Sequence, residues 1–240
     1  MPRAAVYLTS ERERGCPPHR FCTNTTQDTK ANLVSLLRHI GLDVRPEEVF
    51  TSLVAAREMV SEQGLRPFLL LHPDAEPEFD GIDTANPNAV VVGLAKEGFT
   101  YDRMNAAFRL LMDGAELIGV HKGRYLKAVD GLALGPGPYV SALEFASGKV
   151  ATVVGKPAEA FFRMALGDLC APEEAVMIGD DAKDDIGGAK AAGLQALLVQ
   201  TGKYMAGDEG RFGFSPDAVV EDFAAAADFV IAQGCNAVKS

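Results

Sequence analysis

The residues richest in chemistry form the run Met177-Ile178-Gly179-Asp180-Asp181-Ala182-Lys183-Asp184-Asp185. Four carboxylates fall within six positions, directly after an apolar stretch. Carboxylates this close repel one another, and each becomes harder to ionise. A bound cation relieves that repulsion. Hard oxygen donors in a shallow site suit Mg2+, which takes one or two carboxylates and keeps several waters. The competing reading is the acidic first turn of a solvated helix, favoured by the helix dipole. Spacing alone leaves the two readings level.

Two further runs could handle an anion. Gly155-Lys156-Pro157 follows the apolar stretch VATVV. A lysine at the C-terminal end of a strand can neutralise a phosphoryl group, although a surface lysine before a turn is the plainer reading. It is not a Walker loop, because the spacer and its first glycine are absent. Phe21-Cys22-Thr23-Asn24-Thr25-Thr26 offers a hydroxyl and an amide to phosphoryl oxygens. It also reads as an N-cap cluster for the helix that follows, a role that suits Thr25 to Thr29. Gly187-Gly188-Ala189 with Gly193 does not form the glycine fingerprint of dinucleotide binding. Cys16 and Cys22 flank His19 like a zinc knuckle but lack a fourth ligand nearby. With Cys170 and Cys235 they read as free thiols.

The elements that must position these residues follow from periodicity. Ala89–Leu94, Val150–Val154, Ala175–Ile178 and Ala196–Val199 are short apolar runs, the pattern of strands buried on both faces. Leu33, Leu36, Leu37 and Ile40 mark one face of a helix that Gly41 ends. Pro46 opens a second predicted helix with the stripe Val49, Leu53, Ala56 and Val60, closed by Gly64. Tyr101, Met104, Phe108 and Leu111 mark a third. AVMIGDD, a helix to about Ala192, and ALLVQTG make a right-handed β-α-β unit. A short strand at Pro216–Val220 and a helix at Phe223–Gln233 close the chain. The alternation predicts an α/β fold with a mostly parallel sheet. The middle, 66–149, has its own strands, helices and Pro/Gly-rich joints. It reads as an inserted domain within a core made of 1–65 and 150–240.

Composition narrows the function. The chain has 240 residues and a net charge of −10, with 48% apolar residues. That suits a globular protein with a full core. With no basic patch to offset the acidity, nucleic acid is not an expected partner. No apolar run reaches membrane-spanning length, and none near the start resembles a secretory signal. A cytoplasmic protein is the expectation.

Taken in order, Thr23-Asn24, a long insert, Gly155-Lys156-Pro157 and Gly179-Asp180-Asp181 with Asp185 resemble motifs II, III and IV of the haloacid dehalogenase (HAD) phosphohydrolases. The likeness spans about residues 21 to 235. It implies a HAD-like Rossmannoid parallel-sheet core with an inserted α/β C2-type cap domain. By resemblance, Thr23 grips a phosphoryl oxygen and Asn24 assists it. Lys156 offsets charge on the phosphoryl group, and Asp180 is the Mg2+ ligand. Asp185 orients metal-bound water or Lys156, with Asp181 as a further metal candidate and Asp184 as outer support. The implied reaction is Mg2+-dependent hydrolysis of a small phosphorylated molecule through an aspartyl phosphate. A homodimer through the cap is a further expectation.

One part of the family pattern is missing. Its nucleophilic aspartate, in an Asp-x-Asp or Asp-x-Ser motif, ends the first strand, whereas here no aspartate precedes Asp28. Ala4–Leu8 could form a strand, but TSERERGCPPHR is a poor crossover segment. The first core β-α unit is therefore expected to be replaced, with residues 1–20 atypical. Thr9, Ser10 and Glu11 are the surrogate nucleophiles on offer. The expectation is a phosphatase scaffold with hydrolysis lost or impaired. The alternatives are a non-catalytic phosphate-binding or regulatory protein, or the product of a truncated isoform or gene model.

Overall fold

The computed structural model describes residues 18–128 and 130–237. The proposed strand at Ala4–Leu8, the surrogates Thr9, Ser10 and Glu11, and Cys16 lie outside the described residues. Among those described, one compact unit gathers Leu37–Val44 and the chain from Lys156 onward, and the other gathers Arg20–Leu36 and Arg45–Gly155. The expected insert, 66–149, falls wholly within the second of these.

That unit is built on parallel strands. Strands β1 (Phe21–Thr23) and β2 (Val49–Thr51) pair in parallel, Phe21 opposite Val49 and Thr23 opposite Thr51. A four-stranded parallel sheet has the order β3 (Pro67–Leu70), β4 (Ala89–Val92), β5 (Glu116–Gly119), β8 (Thr152–Val153). Every residue of β4 is buried, as its unbroken apolar run predicts. Helices α3 (Tyr101–Met112) and α4 (Gly137–Ser147) press Ala107, Leu111, Val140 and Leu143 onto Leu70, Val90, Val92 and Leu117. An antiparallel hairpin, β6 (Tyr125–Ala128) with β7 (Gly131–Leu134), completes the strands described here.

Three sequence expectations differ from the structure. The predicted helix from Pro46 to Gly64 is a 3-10 turn at Pro46–Glu48, then strand β2, then helix α2 at Ser52–Glu62. The β-branched and aromatic run Val49-Phe50-Thr51 favours a pleated strand. Thr51 then starts the helix, its side chain accepting a hydrogen bond from Val54 N at 3.0 Å. The apolar run Val150–Val154 yields only a two-residue strand, which among the described strands pairs with β5 alone, and Val150, just before it, is 86% exposed. Helix α1 (Lys30–His39) forms where expected, capped by Thr29, whose hydroxyl accepts from Asn32 N. Its buried residue is Val34, however, while Leu36 and Ile40 of the predicted stripe face solvent.

The other unit holds a three-stranded parallel sheet in the order β11 (Ala218–Val220), β10 (Gln195–Val199), β9 (Val176–Gly179). Helix α5 (Glu159–Leu166) precedes the sheet, and Phe161, Phe162 and Ala165 are its buried residues. Between β9 and β10 the chain makes a π-helical turn at Ala182–Gly187 and a short helix α6 (Gly188–Ala191). That crossover is the expected β-α-β unit. A short helix α7 (Asp208–Arg211) follows β10, and Ala226, Phe229 and Val230 of α8 (Phe223–Ala237) pack against Leu197 and Val199. No described helix is long and apolar enough to cross a membrane.

Candidate active site

Strand β9 delivers the acidic run to its C-terminal end, where ligands bind in open α/β sheets. Asp180 and Asp181 leave the strand, and the π-helical turn brings Asp185 back beneath them. Asp185 is 5% exposed and forms an ion pair with Lys156, Nζ to Oδ1 at 2.5 Å. Its other oxygen, Oδ2, accepts from Asp181 N at 3.3 Å. A buried carboxylate needs such a partner, since burial without one is costly. Residues 29 apart in sequence are therefore joined at the end of β9.

Asp181 caps the turn. Its Oδ1 accepts from Lys183 N at 3.1 Å and Asp184 N at 2.9 Å, and its Oδ2 accepts from Lys203 Nζ at 2.9 Å. Burial pushes the Asp181 carboxyl up, but the Asp184 amide, the Lys203 ammonium and the Lys183 amide outweigh it, holding the group below its ordinary value. Asp184 goes the other way. Burial first, then the charges of Asp181 and Asp185 push it up to about 6, against the pull of Lys203 and Lys183. Asp180 Oδ2 accepts from Lys203 N at 2.8 Å. Among the described residues, no three Asp, Glu, His or Cys side chains converge as a metal cluster. Of the described residues, an ion here would have Asp180 and at most one further carboxylate to rest on, with water completing its shell. That is the ordinary habit of Mg2+, and in this sense the residues fit the ion.

In the other unit, Thr23 ends β1 and its Oγ1 accepts from Thr25 N at 3.3 Å. Asn24 lies against Gly155: a Cβ built on Gly155 would stand 2.6 Å from Asn24 Oδ1 and 2.8 Å from Ser52 Cβ. Only glycine fits that approach. Lys156 is the next residue in the chain. The structure thus joins Lys156 to Asp185, and Asp180 and Asp181 to Lys203, within one unit. Thr23 and Asn24 belong to the other, beside Ser52 and Gly155.

Lys203 and Gly202 escaped sequence reasoning. Their signal was present, since Gly202-Lys203 follows the strand ALLVQ next to the acidic strand. Loops after neighbouring parallel strands meet at one end of the sheet. Ser52 was also missed. It lies at the start of α2, and its hydroxyl donates to Thr25 O at 3.4 Å.

Comparison with known proteins places these features in a family. The family model described as haloacid dehalogenase-like hydrolase matches residues 1–84, and the one described as HAD-hydrolase-like matches residues 153–226. The chain is 53% identical over 213 residues to haloacid dehalogenase-like hydrolase domain-containing protein 2 of Homo sapiens, covering 88% of this chain and 82% of the relative. It is 46% identical over 215 residues to phospholysine phosphohistidine inorganic pyrophosphate phosphatase of Homo sapiens, covering 88% and 80%. Among solved structures it resembles 4-nitrophenylphosphatase of Thermotoga maritima with a TM-score of 0.86 and 28% identity, covering 95% of this chain and 90% of that one. NagD of E. coli matches with a TM-score of 0.83 and 25% identity, covering 93% and 90%.

Proposed function

We infer the function of this chain from one premise: it belongs to the haloacid dehalogenase-like hydrolase family. Its general activity class is that of the family's phosphatases and hydrolases. The finer reading is a Mg2+-dependent site for a small phosphorylated molecule, built on Asp180, Asp185 and Lys156. The observation that carries it is the buried Lys156–Asp185 pair at the end of the strand that delivers Asp180.

Each residue has a part that follows from its chemistry. Asp180 would hold the ion, with Asp181 or Asp185 as further acids toward it. Mg2+ would supply charge neutralisation for the phosphoryl oxygens. Lys156 presents a fixed positive charge to the same oxygens, and its pairing with Asp185 keeps that ammonium in place. A preorganised cation of this kind needs no rearrangement when the anion arrives.

Hydrolysis by this chain is read as impaired. No aspartate precedes Asp28, so the carboxylate that the family uses as nucleophile has no counterpart in residues 1–27. A chain without that group would lack the covalent route, while keeping the residues proposed to hold the anion and the ion. The resulting reading is a phosphate-binding member of a phosphatase family. Calorimetric titration with inorganic phosphate in the presence of Mg2+ tests it. Saturable binding that is lost in Lys156→Met is expected, and no saturable binding in the unsubstituted chain would overturn the reading.

A further inference from the structure

The Gly202-Lys203 loop grips two neighbouring acids in two different ways. The backbone N–H of Lys203 donates to Asp180 Oδ2 at 2.8 Å, and its ammonium donates to Asp181 Oδ2 at 2.9 Å. The loop backbone is pressed against Asp180. Gly202 has φ +55°, and a Cβ there would overlap the Asp180 carboxylate. Lys203 therefore puts a positive charge onto the acidic run beside Asp180.

The two lysines of this cluster are not equivalent. The Lys156 side chain is 12% exposed and is held by a carboxylate that is 6% exposed. The Lys203 side chain is 71% exposed, on a carboxylate that is 21% exposed. A solvated pair of that kind is worth little, so its ammonium can leave at small cost. Its backbone N–H stays on Asp180 whatever the side chain does.

We propose that Lys203 is a built-in counter-ion that competes with the divalent cation: in the metal-free chain its ammonium neutralises Asp181, and metal loading displaces it toward solvent. This rests on the reading of Asp180 and its neighbours as the cation site. The like charges of ammonium and dication oppose each other, so the pair sets a threshold for loading. Asp181 Oδ1 stays bound to the turn through the amides of Lys183 and Asp184 whether or not Lys203 is in place, so Asp180 remains the chief ligand.

Removing the charge while keeping the backbone isolates the effect. Lys203→Met, Lys203→Gln and Lys203→Arg would be titrated with Mn2+, counting the free ion by electron paramagnetic resonance, with Mg2+ as competitor. Folding of each variant is checked by circular dichroism. Met and Gln at 203 should tighten Mn2+ binding roughly fivefold, the order expected when one unit charge beside a dication is removed in a solvated site. Arg should match the unsubstituted chain. The gap should narrow in concentrated salt, which screens solvated charges; a merely structural role would not be screened. Equal or weaker binding by both neutral variants overturns the proposal while leaving the cation site intact. If neither the unsubstituted chain nor its neutral variants bind Mn2+, the cation-site reading itself falls, and the proposal with it.

Discussion

Asp184 offers a perturbation whose size and sign can be worked out in advance. Its carboxyl is pushed from an ordinary 3.8 up to about 6, chiefly by burial and then by Asp181 and Asp185. Among the described residues its carboxylate makes no hydrogen bond that replacement would break. Because the folded state holds this proton more tightly than the unfolded one, the group weakens the fold once it is ionised. The penalty is complete above about pH 6, shrinks as pH falls, and vanishes below about 3.8. A rise from 3.8 to about 6 is worth at most about 3 kcal/mol, and the open side of the site screens it to about 1–2 kcal/mol. Asp184→Asn removes the penalty at every pH. In EDTA at pH 7.5 the variant should be more stable by about 1–2 kcal/mol, a rise in Tm of roughly 2–6 °C for a chain of this size. Toward pH 4 the difference should close. Thermal unfolding of both proteins across pH 4–8 is the assay. Comparing variant with parent cancels the opposite effect of Asp181, Glu144 and Asp217, which are held below their ordinary values and lose stability on acidification. A difference that does not change with pH, or a less stable variant at pH 7.5, would refute the reasoning.

Three other substitutions test the site and its supports. Lys156→Met leaves Asp185 buried without its ammonium and should cost about 3 kcal/mol in denaturant unfolding, with much of the loss recovered when Asp185→Asn is added. Gly202→Ala strains a positive-φ position and drives a methyl into Asp180, so it should lower stability by about 1–2 kcal/mol and weaken Mn2+ binding severalfold. Thr51→Ala removes the cap of α2 and should cost about 1 kcal/mol, read as a fall in Tm with no change in phosphate affinity.

How much of this was legible depended on how local the physics was. The strand at 195–199 was plain in sequence because a buried parallel strand needs a continuous apolar run; the run at 176–179 was as plain, although its strand is only half-buried. The stretch 46–64 misled because Val49, Leu53, Ala56 and Val60 keep helical spacing across a strand–helix junction, where all of them are buried for different reasons. Helix α1 was predicted correctly as a helix, but Leu36 and Ile40 point to solvent, and periodicity cannot say which face finds a partner. Within the site, the acidic run announced itself. Lys156 and Asp185, 29 residues apart, could be paired only by family likeness, and the hold of Lys203 on Asp180 and Asp181 is a product of sheet topology.

Hydrolysis of p-nitrophenyl phosphate by the folded 240-residue chain, with and without Mg2+ and beside Asp180→Asn, decides whether the proposed phosphate site also turns substrate over. No Mg2+-dependent turnover above the background of that variant is expected. Mg2+-dependent turnover that Asp180→Asn abolishes would contradict that expectation, and would mean that another side chain of this protein serves as the nucleophile.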